Sequence, residues 1–226
     1  MNLKTQGKRS FSIFKWASAL ALSILIVMSQ PIAYAKPVSV VADRVGDEFT
    51  VELDPFTFKT VMSVGRRDPW YISFIDVINV RMRTSKDSLL MTWHVLGEIL
   101  TSPDEDWARE ESLNFAYFIW MSSTEEGLLR FPHPEDFPWV VVIMGYTYQI
   151  SHTDWWSYVI VATSPGEGQE YSLDFTIRKR SLDASIPLSI LPFTEFYWMG
   201  GTTYQNRILT ENLQSLHDLT SFAYLG

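Results

Sequence analysis

The chain has 226 residues, a formal net charge of −8 and no cysteine, and 15% of its residues are aromatic. The absence of cysteine excludes disulfides, thiolate metal sites and covalent haem attached through a C-x-x-C-H motif. The acidic balance argues against binding to nucleic acid phosphates or to anionic lipid.

The first 35 residues have the three parts of a secretory signal peptide. They contain four Lys or Arg residues and no acidic residue, and residues 17–28 form an uncharged, mostly apolar run. Ala33 and Ala35 place small residues at the positions that a signal peptidase reads. The run is shorter than the roughly 20 residues of a membrane span. We therefore predict export and cleavage after Ala35, with retention as an uncleaved anchor as the alternative.

Beyond residue 35, the hydrophobic pattern has a period of two almost throughout. Residues 78–83 alternate apolar and polar side chains, residues 85–88 supply a turn, and residues 89–100 return as a second strand. This pattern predicts a β-hairpin with one polar face.

Three later segments, 113–121, 139–148 and 156–162, are apolar on both faces. Strands buried on both sides suit the middle of a two-sheet sandwich whose outer face is covered. Residues 171–179 alternate cleanly and predict a strand with one polar face. Only residues 206–219 have the apolar spacing of a helix.

The number and kind of these segments predict an all-β fold. Eight or more strands without helical interruption indicate an antiparallel β-sandwich. The Gly200-Gly201 pair is expected to form a bulge or a turn. No linker or repeat divides residues 36–226, so we expect a single domain after the signal peptide of residues 1–35.

A series of short motifs follows in a characteristic order. In chain order they are Asp43 with Gly46-Asp47, residues 71–80, 93–99, 117–120, 184–191 and 196–200. Their order resembles that of extracytoplasmic β-sandwich domains of the DOMON-like and family-9-type carbohydrate-binding group. The resemblance covers roughly residues 41–204 and implies a β-sandwich with a binding role.

The same resemblance bears on metals and haem. Some members of the group hold calcium with acidic residues after the aromatic strand, but here residues 121–124 contain no acid. Haem-binding members use Met and His as axial ligands, which would pair His94 with Met82, Met91 or Met144. No histidine has a partner at H-x-H or H-x₃-H spacing. We expect His94 to be a hydrogen-bonded sheet residue, and we expect no cofactor.

Acidic residues also cluster in loops, at 104–106, 110–111, 125–126 and 135–136. They lack the D-x-D-x-D-G spacing of a calcium loop, so we expect solvated acids and no metal site. Glu98 and Glu195 lie on candidate strands, but nothing in the sequence brings them together as a glycosidase pair. Because there is also no nucleophile elbow and no phosphate loop, we expect no catalysis.

Aromatic residues beside predicted turns are the remaining candidates for a binding site. Such rings stack on sugar faces while nearby Asp, Asn and Gln side chains bond the hydroxyls. The alternative is that they close the open ends of the sandwich. The candidate ligand-binding set is Trp70, Tyr71, Trp107, Trp139, Trp155 and Trp156.

We therefore expect an exported, non-catalytic binding or interaction module, with carbohydrate as the favoured ligand and a glycan or cell-surface partner. Two alternatives stay open: a haem- or metal-binding electron-transfer domain of the DOMON-like kind, and a purely structural cell-surface protein. Contact with a membrane is expected only through an uncleaved signal segment.

Overall fold

A computed structural model describes residues 38–54, 57–102, 105–129, 137–148, 153–207, 209 and 214–226. The predicted signal peptide, residues 1–35, and the acidic positions 104 and 135–136 lie outside the described residues. Within the described part of the chain, no helix has the length and apolar character needed to cross a membrane.

In the described part of the chain, fourteen strands, two short α-helices and one 3₁₀ turn have defined bounds. In chain order they are β1 (Val38–Ala42), β2 (Glu48–Asp54), β3 (Thr57–Val64), β4 (Val77–Thr84), β5 (Ser88–Val95), α1 (Glu105–Glu111), β6 (Asn114–Ser122), α2 (Glu125–Leu129), β7 (Trp139–Tyr148), β8 (Thr153–Ser164), β9 (Glu167–Ser172), β10 (Asp174–Arg178), β11 (Ser181–Pro187), a 3₁₀ turn (Leu188–Ile190), β12 (Phe196–Gln205), β13 (Gln214–Leu219) and β14 (Ala223–Leu225).

The strands form two antiparallel sheets packed face to face, which confirms the predicted all-β sandwich. The small sheet has the order β1-β4-β5-β11-β10, and the large sheet has the order β3-β2-β13-β12-β6-β7-β8-β9, with β14 paired to β12. The described residues from 38 onward belong to one compact unit.

The predicted hairpin is confirmed as β4 and β5, in which Met82 lies opposite Met91. Apolar residues of both strands face the core, whereas Arg81 and Arg83 are exposed on the outer face of the small sheet. The second strand ends at Val95 rather than at residue 100. The backbone NH of Gly97 donates instead to the carbonyl of Ser73, in the loop before β4.

The core lies between the sheets and is rich in aromatic residues. Trp93 of β5 and Trp198 of β12 are both 0% exposed. Their indole NH groups donate to the Phe118 carbonyl and to Ser39 Oγ, respectively. Each ring thus buries its apolar surface without leaving its polar atom unpaired, as a large buried aromatic requires.

The predicted strand at 171–179 is in fact two strands in different sheets. β9 ends at Ser172 in the large sheet, β10 begins at Asp174 in the small sheet, and Leu173 between them is buried. Tyr171 and Phe175 both pack against the same core. Because the apolar alternation continues across the crossing, the pattern alone did not reveal the change of sheet.

The apolar spacing of residues 206–219 predicted a helix. For residues 214–219 this prediction is wrong, because they form the strand β13 inside the large sheet. β13 is paired with β12 on one side and with β2 on the other. Backbone partners on both edges override a local apolar pattern, because tertiary context outweighs propensity.

Gly200 and Gly201 form neither a bulge nor a turn. They lie inside β12, which keeps its register with β6. A Cβ atom on Gly200 would lie 2.7 Å from Val80 Cγ2, and one on Gly201 would lie 2.6 Å from Leu219 Cδ2. The pair therefore allows close packing on both faces of the strand.

Candidate functional site

The six predicted aromatic residues lie in different places and do not form one site. Trp70 and Tyr71 lie in the loop before β4, and Trp139 and Trp156 lie on the outer face of the large sheet. The other two belong elsewhere: the structure describes only the backbone of Trp107, in α1, and Trp155 packs inward against the core.

Trp155 contributes to an aromatic cluster on the inner face of the large sheet. Its ring lies 5.4 Å from that of Phe115 and 5.5 Å from that of Phe175, between centroids. Its indole NH donates to the Thr101 carbonyl over 3.2 Å. This inward position is consistent with the alternative interpretation given above, in which the aromatic residues close the open ends of the sandwich.

A groove of about 350 Å³ lies on the outer face of the large sheet beside Trp156. In the register of β12, β6, β7 and β8, one row of this face is Thr203, Ala116, Gly145 and Trp156. Ala116 has only a methyl side chain and Gly145 has none, so the middle of the row forms the floor of the groove. The next row supplies a polar border of Gln205, Asn114 and Thr147.

The Trp156 ring is held in a defined position over this floor. Its indole NH donates to Thr147 Oγ1 over 2.7 Å, and the ring stacks on Tyr158 with centroids 5.3 Å apart. A Cβ atom at Gly145 would lie only 2.6 Å from Trp156 Cζ2. The indole therefore lies close above the backbone of β7 and is half-buried.

Trp139 lies at the other end of the same face. It is six residues from Gly145 along β7, roughly 20 Å in an extended strand. Its ring stacks on Trp120 with centroids 4.9 Å apart. Val141 and Ile143 lie between the two ends on this face. Trp139 and Trp156 thus mark the ends of one apolar face.

The outer face of the small sheet carries a larger groove, about 430 Å³ in volume, with a different chemical character. Arg81, Arg83 and Arg178 line it, and Asp183 accepts a hydrogen bond from Thr92 Oγ1 over 2.7 Å. Arg178 Nε lies 3.6 Å from Asp183. This face is polar and charged, as the strand alternation predicts.

A group of acidic residues meets where the two sheets come together at one end of the sandwich. Asp43 follows β1 of the small sheet, Asp47 directly precedes β2 of the large sheet, Glu48 begins β2, and Asp218 lies in β13. Carboxylate oxygens of Asp43, Asp47 and Asp218 lie within 4.8 Å of one another. Asp76, directly before β4, completes the group.

Backbone and phenol donors hold the inner part of this acidic group. Val77 NH donates to Asp218, and Gly46 NH donates to Asp76 Oδ1 over 3.2 Å. The Tyr71 hydroxyl donates to the other oxygen of Asp76. Ile72 NH donates to Glu48 Oε2 over 3.2 Å. Tyr71, predicted as a ligand-binding ring, therefore supports the acidic group.

Burial and mutual repulsion raise the pKa of four acids of this group. Burial, followed by the charges of neighbouring carboxylates, raises the pKa of Glu48 to about 8 and that of Asp218 to about 8. The same causes raise the pKa of Asp43 to about 6 and also raise that of Asp47. Ionised carboxylates are thus disfavoured here unless a positive charge compensates them.

The sequence patterns did not identify this group, because its members are far apart along the chain. Two members, Asp43 and Asp47, belong to the first motif of the family resemblance, and Asp76 belongs to its second segment, residues 71–80. Asp218 lay in a segment predicted as helical. Only the pairing of β13 with β2 places it beside Glu48.

The residues considered for haem lie on opposite sides of the small sheet or on the other sheet. His94 alternates with Trp93 on β5 and faces outward, beside Glu98 and Arg178. Met82, Met91 and Met144 are core residues exposed by 1% or less. The geometry does not bring His94 together with any of these methionines.

Comparison with known proteins adds no relative: no family model, no curated protein and no solved structure matches this chain.

Proposed function

We propose that the chain is an exported, non-catalytic carbohydrate-binding module of the DOMON-like, family-9-type kind, and that its ligand binds in the groove beside Trp156. The observation that carries this proposal is the combination of a positioned indole with a row of amide and hydroxyl side chains. Sugars offer an apolar face and a rim of hydroxyl groups, and this groove offers surfaces complementary to both.

The polar border is suited to hydroxyl recognition because its groups are neutral. Asn114 and Gln205 each carry an amide donor and acceptor, and Thr203 in the neighbouring row adds a hydroxyl. Asn114 lines the groove, and its Nδ2 donates to the Ser112 carbonyl over 3.0 Å, so its Oδ1 supplies an acceptor there. Because the Trp156 ring is already fixed by Thr147 and Tyr158, binding costs little ordering of the site.

The test is binding of the protein without residues 1–35 to an oligosaccharide array, followed by calorimetry with the best sugar. Trp156→Ala and Gln205→Ala should each weaken binding at least about tenfold, the loss of one stacking or hydrogen-bonding contact. Arg81→Ala, on the opposite outer face, is the matched control and should bind as the parent protein does. Near-UV circular dichroism verifies that the variants are folded.

Two results would contradict the proposal. One is the absence of any bound sugar across the array. The other is sugar binding that Arg81→Ala reduces and Trp156→Ala does not, which would move the site to the charged groove. A Soret absorption band that disappears in His94→Ala would favour the haem-binding alternative instead.

A further inference from the structure

We propose that Asp43, Asp47 and Asp218, with Glu48 beside them, form a binding site for a divalent cation, and that this cation is Ca²⁺. The site lies between the two sheets at one end of the sandwich. It is separate from the groove beside Trp156, so either proposal can fail without the other.

The first support is the geometry of the carboxylates. Oxygens of Asp43, Asp47 and Asp218 lie within 4.8 Å of one another, close enough to share one ion. Asp47 is exposed, Asp43 is half-buried and Asp218 is buried. The group therefore opens to solvent on one side, through which an ion can enter, and is closed on the other.

The second, independent support is the state of Glu48. This side chain is 0% exposed, and only its Oε2 atom accepts a hydrogen bond, from Ile72 NH. Oε1 is buried and has no hydrogen-bond partner in the described part of the chain, and the same holds for Asp43 Oδ2. Buried polar atoms of native proteins are nearly always satisfied, so a bare oxygen on each of two members of this acidic group points to a missing partner.

That partner is a cation rather than a protein side chain. Among the described residues, no Lys or Arg forms an ion pair with these carboxylates. The hydrogen bonds to Asp218 and Asp76 come from Val77 and Tyr71, which carry no positive charge. Arg44 acts on the exposed Asp47, but the charged neighbours of the buried Glu48 and Asp218 within the described residues are other carboxylates, so these two acids remain without a compensating charge.

The chemistry of the donors selects Ca²⁺. All of the side-chain donors are oxygens, which suit hard cations. Zn²⁺ would call for a histidine, but His217 faces the opposite side of β13 from Asp218, and its Nε2 contacts Ser215 Oγ. Ca²⁺ accepts six to eight oxygens in a flexible arrangement, whereas Mg²⁺ needs a near-ideal octahedron. Acids from three separate strands or strand ends fit the looser requirement better.

The experiment measures Ca²⁺ binding to chelator-treated protein without residues 1–35, by calorimetry and by thermal unfolding. At a Ca²⁺ concentration about 100 times its Kd, the midpoint of unfolding should rise by about 5–10 °C. Glu48→Gln and Asp47→Asn should each weaken Ca²⁺ binding at least about tenfold. Glu110→Gln, at an exposed acid of α1, is the matched control and should respond as the parent protein does.

Stability without metal separates a cation site from a merely structural role. Glu48→Gln replaces a buried acid with a side chain of the same size that cannot ionise, so the metal-free variant should unfold at the same temperature as the parent or at a higher one. A variant that unfolds at a lower temperature without metal, yet still binds Ca²⁺ like the parent, would overturn the proposal. So would a parent protein that shows no heat of binding and no shift at millimolar Ca²⁺, or one that Mg²⁺ stabilises as much as Ca²⁺.

Discussion

The carboxylate of Asp218, on β13 of the large sheet, accepts a hydrogen bond from the backbone NH of Val77, the first residue of β4 in the small sheet. Both residues are buried, and the bond connects the two layers directly. It also holds the Asp218 carboxylate where the two sheets meet. The residue that connects the layers is therefore also a member of the acidic group.

Replacing Asp218 tests the importance of this bond between the sheets. Asp218→Asn keeps a side-chain oxygen for Val77 NH, whereas Asp218→Ala leaves that buried NH without an acceptor. We expect the alanine variant to be less stable than the asparagine variant by about 1–3 kcal/mol, the cost of an unsatisfied buried group. Urea unfolding in the presence of chelator measures the difference, and equal midpoints would show that the bond contributes nothing.

The acidic group predicts an unusual pH dependence for the metal-free protein. Folding raises the pKa of Glu48 from 4.5 and that of Asp218 from 3.8, each to about 8, so the folded state holds protons that the unfolded chain releases. Their contribution to stability is fully present below about pH 4 and is lost as the pH rises through 8.

The window from pH 6.5 to 8 isolates this effect. Burial lowers the pKa of His217 from 6.5 to about 4, so its own contribution is present above 6.5 and is lost only as the pH falls toward 4. Between 6.5 and 8, the free energy of unfolding should fall by up to about 1.4 kcal/mol per pH unit for each raised acid. Glu48→Gln should flatten the slope, and a parent protein of constant stability across this window would contradict the assignment.

Trp93 and Trp198 should be among the most costly residues to truncate. Both are 0% exposed and hydrogen-bonded through their indole NH groups, so alanine leaves a cavity and an unpaired acceptor. We expect each alanine variant to lose about 3–5 kcal/mol of unfolding free energy. Phe222→Ala, at a ring that is 44% exposed, should lose less than about 1 kcal/mol in the same denaturant assay.

Gly145 provides a test of how Trp156 is positioned. A Cβ atom there would lie 2.6 Å from Trp156 Cζ2 and 2.8 Å from the Phe115 carbonyl oxygen, so Gly145→Ala must move the indole or the strand. We expect a loss of about 1–3 kcal/mol and a changed Trp fluorescence spectrum. Gly168→Ala, whose nearest contact would be Ile160 Cγ2 at 3.8 Å, is the control. Unchanged fluorescence in Gly145→Ala would show that the indole is not held over this glycine.

The export signal makes a prediction that is independent of the fold. Cleavage after Ala35 should leave Lys36 as the first residue of the protein recovered outside the cytoplasm, because Ala33 and Ala35 present small side chains to the peptidase. Intact mass and N-terminal sequencing measure this. A protein that begins at Met1 and stays with the membrane would instead support the uncleaved anchor.

The strand pattern of this chain was readable from the sequence wherever a strand buries one face. The alternation in β4 and β5 predicted both the hairpin and the outward direction of Arg81 and Arg83, because side chains of a strand point to opposite faces in turn. The unbroken apolar run of β6 likewise predicted a strand buried on both sides. The change from the large sheet to the small sheet at Leu173 could not be predicted in this way, because the apolar alternation continues through it.

The sequence by itself determined the class of fold, since alternation, turn residues and the absence of cysteine depend only on neighbours along the chain. Only the tertiary structure decided which polar residues meet. Asp43, Asp47 and Asp218 come together where the end of β1, the start of β2 and β13 meet, and Ala116 and Gly145 form one floor because β6 and β7 share a register. Such juxtapositions depend on strand order and register, which are set by the packing of the whole core rather than by any local segment.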